Sequence, residues 1–458
     1  MIHRTVREWD YLPVDETGED KAVSRAMADR LIEVARGVRF GGDDGERILI
    51  NGARKLRAQQ IVGVLAAEGV TLEILPKIDG ADDDAATRRS LVHMLAAVLD
   101  LDIASGAMAN LSWQQYDLLE ILIQLFCDML FNALHRGLPR RYVGHEEDLA
   151  TLRGRLDAKR QFTILAASPE TLACRFEELS ADIALNRIMK AAITWLASVS
   201  RARENQRKLS ELAVAFIEIS VVPVKSLPWT RVILDRTNFA WHQLLAFAKL
   251  LLGERFQTTT SGDARGFSLL FEMNTLFEEF IGRILKRALA GSGLRVDLQG
   301  PSSHALVECD TGQRRFATRP DIVISQDGVH HLVIDTKWKR LKGAIDDPKR
   351  GVGQSDVYQM MAYSHVYGCE QLLLLYPHHG ELGASEGILA LHSITGKPDS
   401  HLGIATIALA DPKSVGRRLR QLLINLGAIR RASDESWPSD RAIPSSEVAT
   451  PVMTSTGL

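Results

Sequence analysis

Asp321, Asp335 and Lys337 are the residues of this 458-residue chain whose types and spacing could do chemistry. Asp321 precedes the apolar run Ile322-Val323-Ile324, and Asp335 and Lys337 follow a second one, Leu332-Val333-Ile334. Paired carboxylates offer the hard oxygens that Mg²⁺ prefers, and that ion is commonly held by one or two carboxylates, a substrate phosphate and several waters. A cation bound there would lower the pKa of one of its waters and neutralise charge on a reacting phosphoryl group. A lysine beside the pair can orient the attacking water or stabilise the same charge. Alone, Asp-x-Lys is a common tripeptide on solvated strands, so its surroundings must decide.

Those surroundings are two strands. Arg319 to Ser325 reads as one and His331 to Trp338 as the next, with the Asp-Gly signal of a tight hairpin in Gln326-Asp327-Gly328 between them. Folding the hairpin brings Asp321 to within about one or two pairing positions of Asp335, so the carboxylates converge at one end of a sheet. Alternation along the strand puts Asp335 and Lys337 on one face and points Thr336 away. The continuous apolar run predicts a strand covered on both faces, where unpaired charge is costly.

Two helices flank this hairpin. Gln359 and Tyr363 stand at i, i+4 in Ser355 to Tyr363 and share a face. The alternative reading of that segment is a helix packed through Met360 and Met361. Another helix presents Leu270, Met273, Phe277, Phe280, Ile281, Ile284 and Ala288 as its apolar stripe; Glu278 flanks the stripe while Glu279 lies nearer the opposite side. Arg319, Lys339, Arg340 and Lys342 belong to a basic surround in which lysine and arginine outnumber acids, as a DNA backbone would need. His330-His331 and His378-His379 lack partners at zinc-ligand spacing and read as exposed turns.

The fold class expected is α+β and multidomain. Short β-rich runs, Ile48 to Ile50, Ile61 to Leu65 and Val70 to Leu75, give a small N-terminal β-rich domain over residues 1–85. Helical periodicity from Arg88 to Leu134, from Ile183 to Leu209 and near Phe239 to Leu252 gives a helical domain over 86–255. The polar segment Thr258 to Gly266 opens the last folded domain, 256–430, a mixed sheet flanked by helices. The Ser- and Pro-rich tail, 431–458, is too poor in large apolar groups to offset the entropy of ordering and is expected to be disordered.

Bulk properties narrow the function. The 55 basic and 57 acidic side chains nearly cancel, so a polyanion would be bound by local patches. Cys127, Cys174, Cys309 and Cys369 are scattered and form no CxxC pair, which suits a reducing cytoplasm. The apolar run Ile121 to Leu130 is too short to span a membrane and reads as a buried helix. No G-x-x-x-x-G-K-[ST] occurs, so nucleotide hydrolysis, if used, belongs to another protein.

The motif residues resemble the PD-(D/E)XK nuclease superfamily, with Pro320-Asp321 as its PD and Asp335-Thr336-Lys337 as its (D/E)XK, and the Gln359 helix looks like the Q-x-x-x-Y helix of RecB-like members. Further stretches resemble the McrC family, the nuclease subunit of the McrBC modification-dependent (5-methylcytosine) restriction system. They are Val62-Gly63-Val64, Leu72 to Ile78, Leu152-Arg153-Gly154-Arg155-Leu156-Asp157, Glu178 to Asp182 with Asn186-Arg187, and Leu276-Phe277-Glu278. The acidic stretch after Ile78 and the tail after Arg431 depart from that pattern.

The resemblance implies a Mg²⁺-dependent DNA endonuclease, with Mn²⁺ as the alternative ion and no nucleotide bound by this chain. Asp321, Asp335, the Thr336 backbone carbonyl and Glu278 would hold the metal, Lys337 would assist the water, and Gln359 and Tyr363 would support the site. It also implies a partner, a McrB-like AAA+ GTPase hexamer that delivers double-stranded, modified DNA and whose GTPase this chain stimulates. The competing readings are a non-catalytic activator or adaptor of that motor and a stand-alone RecB-like repair nuclease.

Overall fold

The computed structural model describes residues 2–16, 21–38, 46–80, 83–101, 111, 113–168, 170–235, 241–252, 266–343, 349–383 and 385–429. The expected disordered tail and most of the Thr258 to Gly266 segment lie outside the described residues. The architecture is mixed α+β, built from several sheets and their flanking helices. No described helix is long and apolar enough to cross a membrane. The four cysteines are free thiols, and only Cys309 is exposed.

The N-terminal strands form where the β-rich runs predict them, at Leu49–Asn51, Ile61–Ala67 and Val70–Leu75. Ile61–Ala67 and Val70–Leu75 are antiparallel across the Glu68-Gly69 turn, and Ile2–Arg7 pairs parallel with Val70–Leu75. The other edge of this four-stranded sheet comes from far along the chain: Phe267–Glu272 lies antiparallel to Ile61–Ala67. Gly63 makes that pairing possible, because its φ is +131° and a Cβ there would sit 1.8 Å from the Leu269 carbonyl oxygen.

The middle of the chain is helical at Asp84–Val98, Leu118–Leu134, Ala184–Val199, Arg203–Ala215 and His242–Leu252. Asp83 and Asp117 cap the first two through side-chain bonds to Ala86 N and Glu120 N. A three-stranded sheet, Arg141–Leu149, Leu172–Ser180 and Arg155–Leu156, interrupts the helices and is absent from the periodicity reading. Much of it is exposed on both faces, so its strands carry little apolar alternation to reveal them.

The C-terminal part is a six-stranded mixed sheet in the order Arg295–Leu298, Ile322–Gln326, Val329–Thr336, Gln371–Pro377, Lys397–Ile407 and Gly387–Ile394. Each of the first three strands is antiparallel to its neighbour, and Val329–Thr336, Gln371–Pro377 and Lys397–Ile407 run parallel. Ile322, Ile324, Leu332 and Ile334 pack in one core with Phe277, Phe280 and Leu419 of the Met273–Ala288 and Val415–Asn425 helices. Val323 and Val333 pack in another with Met360 and Tyr363 of the Gln354–Val366 helix. The strand is therefore covered on both faces, as its apolar run predicts.

Candidate active site

The site starts from the hairpin. Asp327 at φ +51° and Gly328 at φ +83° make a two-residue turn of the type that matches strand twist. Gln326 pairs with Val329 and Ile322 with Ile334, with an irregularity at Ile324/Ser325. Asp321, one residue before Ile322, therefore lies at the level of Asp335, within the register expected.

Asp335 is fully buried, and neither of its oxygens makes a well-formed hydrogen bond among the described residues. Its neighbour is the Lys337 ammonium, with Nζ 2.5 Å from Oδ2. Burial, and then the negative charge of Asp321, pushes the Asp335 carboxyl up to about 6. Burial also raises Asp321, although the Thr336 bonds oppose it. Lys337 loses proton affinity to burial, but the Asp335 carboxylate outweighs that and holds the ammonium above its ordinary value.

Thr336 does not simply point away. Its amide donates to Asp321 Oδ2 at 2.7 Å and its hydroxyl to the same oxygen at 2.9 Å, so the residue between the two motif positions orients the first carboxylate. Alternation fixes only the faces of one strand, whereas Asp321 sits beyond the end of its own and reaches across.

Glu278 is half-buried on the Met273–Ala288 helix and faces this group. Burial first, and the Asp321 charge second, pushes its carboxyl up to about 7, while Gln299 Nε2 donates to Oε1 at 2.7 Å. Gln359 Nε2 donates to the Tyr363 hydroxyl at 2.7 Å, and that hydroxyl donates to the Arg319 carbonyl at 3.2 Å. The i, i+4 pair is thus bonded to itself and to the strand entering Asp321. Met360 is fully buried, but Met361 is 39% exposed, so the alternative of a helix packed through both methionines fails.

The basic candidates differ in freedom. Arg319 is exposed with Nε on the Gln299 carbonyl at 2.8 Å, and Lys339 and Lys342 are exposed. Arg340 is paired with Asp79 at 2.6 Å and Glu381 at 3.7 Å. Of the histidines expected in exposed turns, His330 and His331 lie in the Val329–Thr336 strand, and His379 is 3% exposed, with Nε2 2.9 Å from the Leu341 carbonyl oxygen. The segment after the lysine folds back over it, which local turn signals do not reveal.

Sequence reasoning passed over Asp356, in the first turn of the Gln354–Val366 helix, whose charge acts on both Asp335 and Lys337. It also passed over Gln299, which bonds Glu278, Arg319 and, through its amide, the Asp321 carbonyl. Neither shows a motif in sequence. Asp356 is visible in retrospect as an acid one helical turn before Gln359.

The donor set suits a hard divalent cation: three crowded acids of raised proton affinity, one of them buried with neither oxygen in a well-formed hydrogen bond. They do not form a ready-made cage, since no three acidic, histidine or cysteine side chains among the described residues are gathered closely enough to hold a metal.

Residues 56–377 match the family model of the McrBC 5-methylcytosine restriction system component. The fold is similar to that of a chain in a refined half-complex from a tetradecameric assembly of Thermococcus gammatolerans McrB AAA+ hexamers with bound McrC. The TM-score is 0.70 at 23% identity, covering 93% of this chain and 100% of that one. A chain of the cryo-EM structure of the Thermococcus gammatolerans McrBC complex matches with a TM-score of 0.52 at 26% identity, over 63% of this chain and 88% of that one. No curated protein matches. The family match spans well over half of the sequence and includes the Asp321 to Lys337 hairpin, so the chain belongs to the McrBC 5-methylcytosine restriction system component family.

Proposed function

We propose that this chain is the McrC-type nuclease subunit of a McrBC-like restriction complex, a Mg²⁺-dependent DNA endonuclease with a PD-(D/E)XK core. It cuts modified double-stranded DNA delivered by a McrB-like AAA+ GTPase hexamer and stimulates the hexamer's GTP hydrolysis. The observation that carries the reading is the convergence of Asp321, Asp335, Lys337 and Glu278 at one end of a buried sheet.

In this reading Asp321, Asp335, the Thr336 carbonyl and Glu278 would hold the metal. When bound, Mg²⁺ would activate a water and neutralise charge on the scissile phosphate. Lys337 lies 2.5 Å from Asp335, where it orients that water and stabilises the added negative charge as a phosphorus–oxygen bond forms and the ester oxygen leaves. Tyr363 and Gln359 fix the backbone before Asp321. Arg319, Lys339, Arg340 and Lys342 follow the DNA backbone, Arg340 exchanging Asp79 for a phosphate.

The test mixes the chain with its AAA+ partner, GTP, Mg²⁺ and methylated duplex DNA. Asp335→Ala and Lys337→Ala should abolish cleavage and leave GTPase stimulation intact. Cleavage by Asp335→Ala at the wild-type rate would sink the assignment, and cutting by the unmixed wild-type chain without GTP would favour a stand-alone nuclease instead.

A further inference from the structure

Every polar group of Trp338, the residue after Lys337, is held from outside the motif hairpin. Its indole Nε1–H donates to both oxygens of Glu8, at 2.8 and 2.9 Å. Its carbonyl accepts from Gln60 Nε2 at 2.5 Å, and its amide donates to Asn274 Oδ1 at 3.1 Å. The ring packs edge-on against Phe277, with centroids 5.4 Å apart.

Glu8 follows the Ile2–Arg7 strand and Gln60 precedes the Ile61–Ala67 strand, so two of these partners belong to the N-terminal sheet. Asn274 belongs to the first turn of the helix that carries Glu278 and is itself bonded to Gln60, with donor to acceptor distances of 3.2 and 3.3 Å. One residue thus joins the N-terminal sheet, the Glu278 helix and the catalytic lysine's segment.

The chemistry of the joint is unusual for simple packing. Glu8 is 1% exposed, and burial drives its proton affinity up against the bonds from Lys77 N and Trp338. Burying a carboxylate is costly even with the Lys77 amide and the nearby Lys77 and Arg340 charges to offset it, and an apolar contact would hold these elements together without that cost. What the polar joint adds is direction: it fixes where the chain runs after Lys337, whose Nζ must stay against Asp335.

We infer that Glu8 and Gln60 are positioning residues that act through Trp338 to hold Lys337 in place, so that the N-terminal sheet governs whether the lysine is aligned for cleavage. This rests on the nuclease reading above. A change in the sheet's position at Glu8 would be felt at Lys337 without any contact between the sheet and DNA.

The test measures kcat and KM for Mg²⁺-dependent cleavage by the full complex, together with the melting temperature of each variant. Trp338→Phe keeps the ring and removes the donor; it should lower kcat by about tenfold to a hundredfold with KM for DNA unchanged. Glu8→Ala should match it. Glu8→Gln, whose amide oxygen still accepts from the indole, should recover most of the rate, and the Glu8→Ala, Trp338→Phe double variant should be no slower than either single. Wild-type kcat in Trp338→Phe and Glu8→Ala, with Asp335→Ala inactive, would overturn the positioning role and leave the nuclease reading standing. Equal loss in Glu8→Gln and Glu8→Ala, accompanied by a lowered melting temperature, would also overturn it in favour of a role in folding. Full activity in Asp335→Ala would remove the reading beneath it.

Discussion

Thr336 holds Asp321 with two atoms at once, its amide and its hydroxyl both reaching Oδ2. The residue that separates Asp335 from Lys337 in sequence therefore sets the angle of the carboxylate on the facing strand. Four predictions follow from this and neighbouring relationships.

Thr336→Val keeps the shape and the amide bond but removes the hydroxyl. On the metal site proposed above, losing one of the bonds that orient the Asp321 carboxylate should weaken Mg²⁺ binding by about tenfold to a hundredfold. The Mg²⁺ concentration for half-maximal cleavage measures this, and an unchanged value would show that the amide alone suffices.

Stability without metal should depend on pH with a definite sign. Asp335 rises from 3.8 to about 6 and Glu278 from 4.5 to about 7, so the folded chain binds these protons more tightly than the unfolded one. Their contribution is most favourable at pH below the ordinary values and is lost as pH climbs towards about 7. Melting curves in a chelator should fall across this window, and Asp335→Asn should flatten the fall. A metal-free chain that gains stability relative to Asp335→Asn over the same range would contradict the burial argument.

Tyr363→Phe deletes the hydroxyl that links Gln359 to the Arg319 carbonyl. Each lost hydrogen bond should cost about 1 kcal/mol. Urea unfolding should show that loss, with cleavage reduced several-fold rather than abolished, because Tyr363 touches the backbone and not the acids. Complete inactivity would promote Tyr363 to a direct role.

Gly63→Ala would place a methyl group 1.8 Å from the Leu269 carbonyl oxygen at a φ of +131°. The strain and the lost pairing should cost more than about 3 kcal/mol. Since the displaced strand runs straight into the Glu278 helix, cleavage should fail together with folding. A soluble, active Gly63→Ala protein would mean that the strand can shift to accommodate it.

The hairpin was legible because Asp327-Gly328 adopts positive φ at low cost and because Ile322 to Ile324 and Leu332 to Ile334 are unbroken apolar runs. Glu278 was legible from its position on a helical stripe. The Thr336 grip was not, since it forms across the hairpin beyond the last paired residue. Nor was Glu8, which meets Trp338 across 330 positions of chain, where no local pattern reaches. The Arg141 to Ser180 sheet escaped because its solvated strands lack the alternation that marks a buried face.

The Phe267–Glu272 strand closes the N-terminal sheet and then becomes, without a loop, the helix bearing Glu278. The two ends of the protein are therefore not exchangeable modules. Cutting the chain ahead of Phe267 would strip the N-terminal sheet of an edge strand and expose the backbone of Ile61–Ala67 to chance pairing. A foreign counterpart of either half would have to bring a strand that fits this pairing, including the close approach of Leu269 to Gly63.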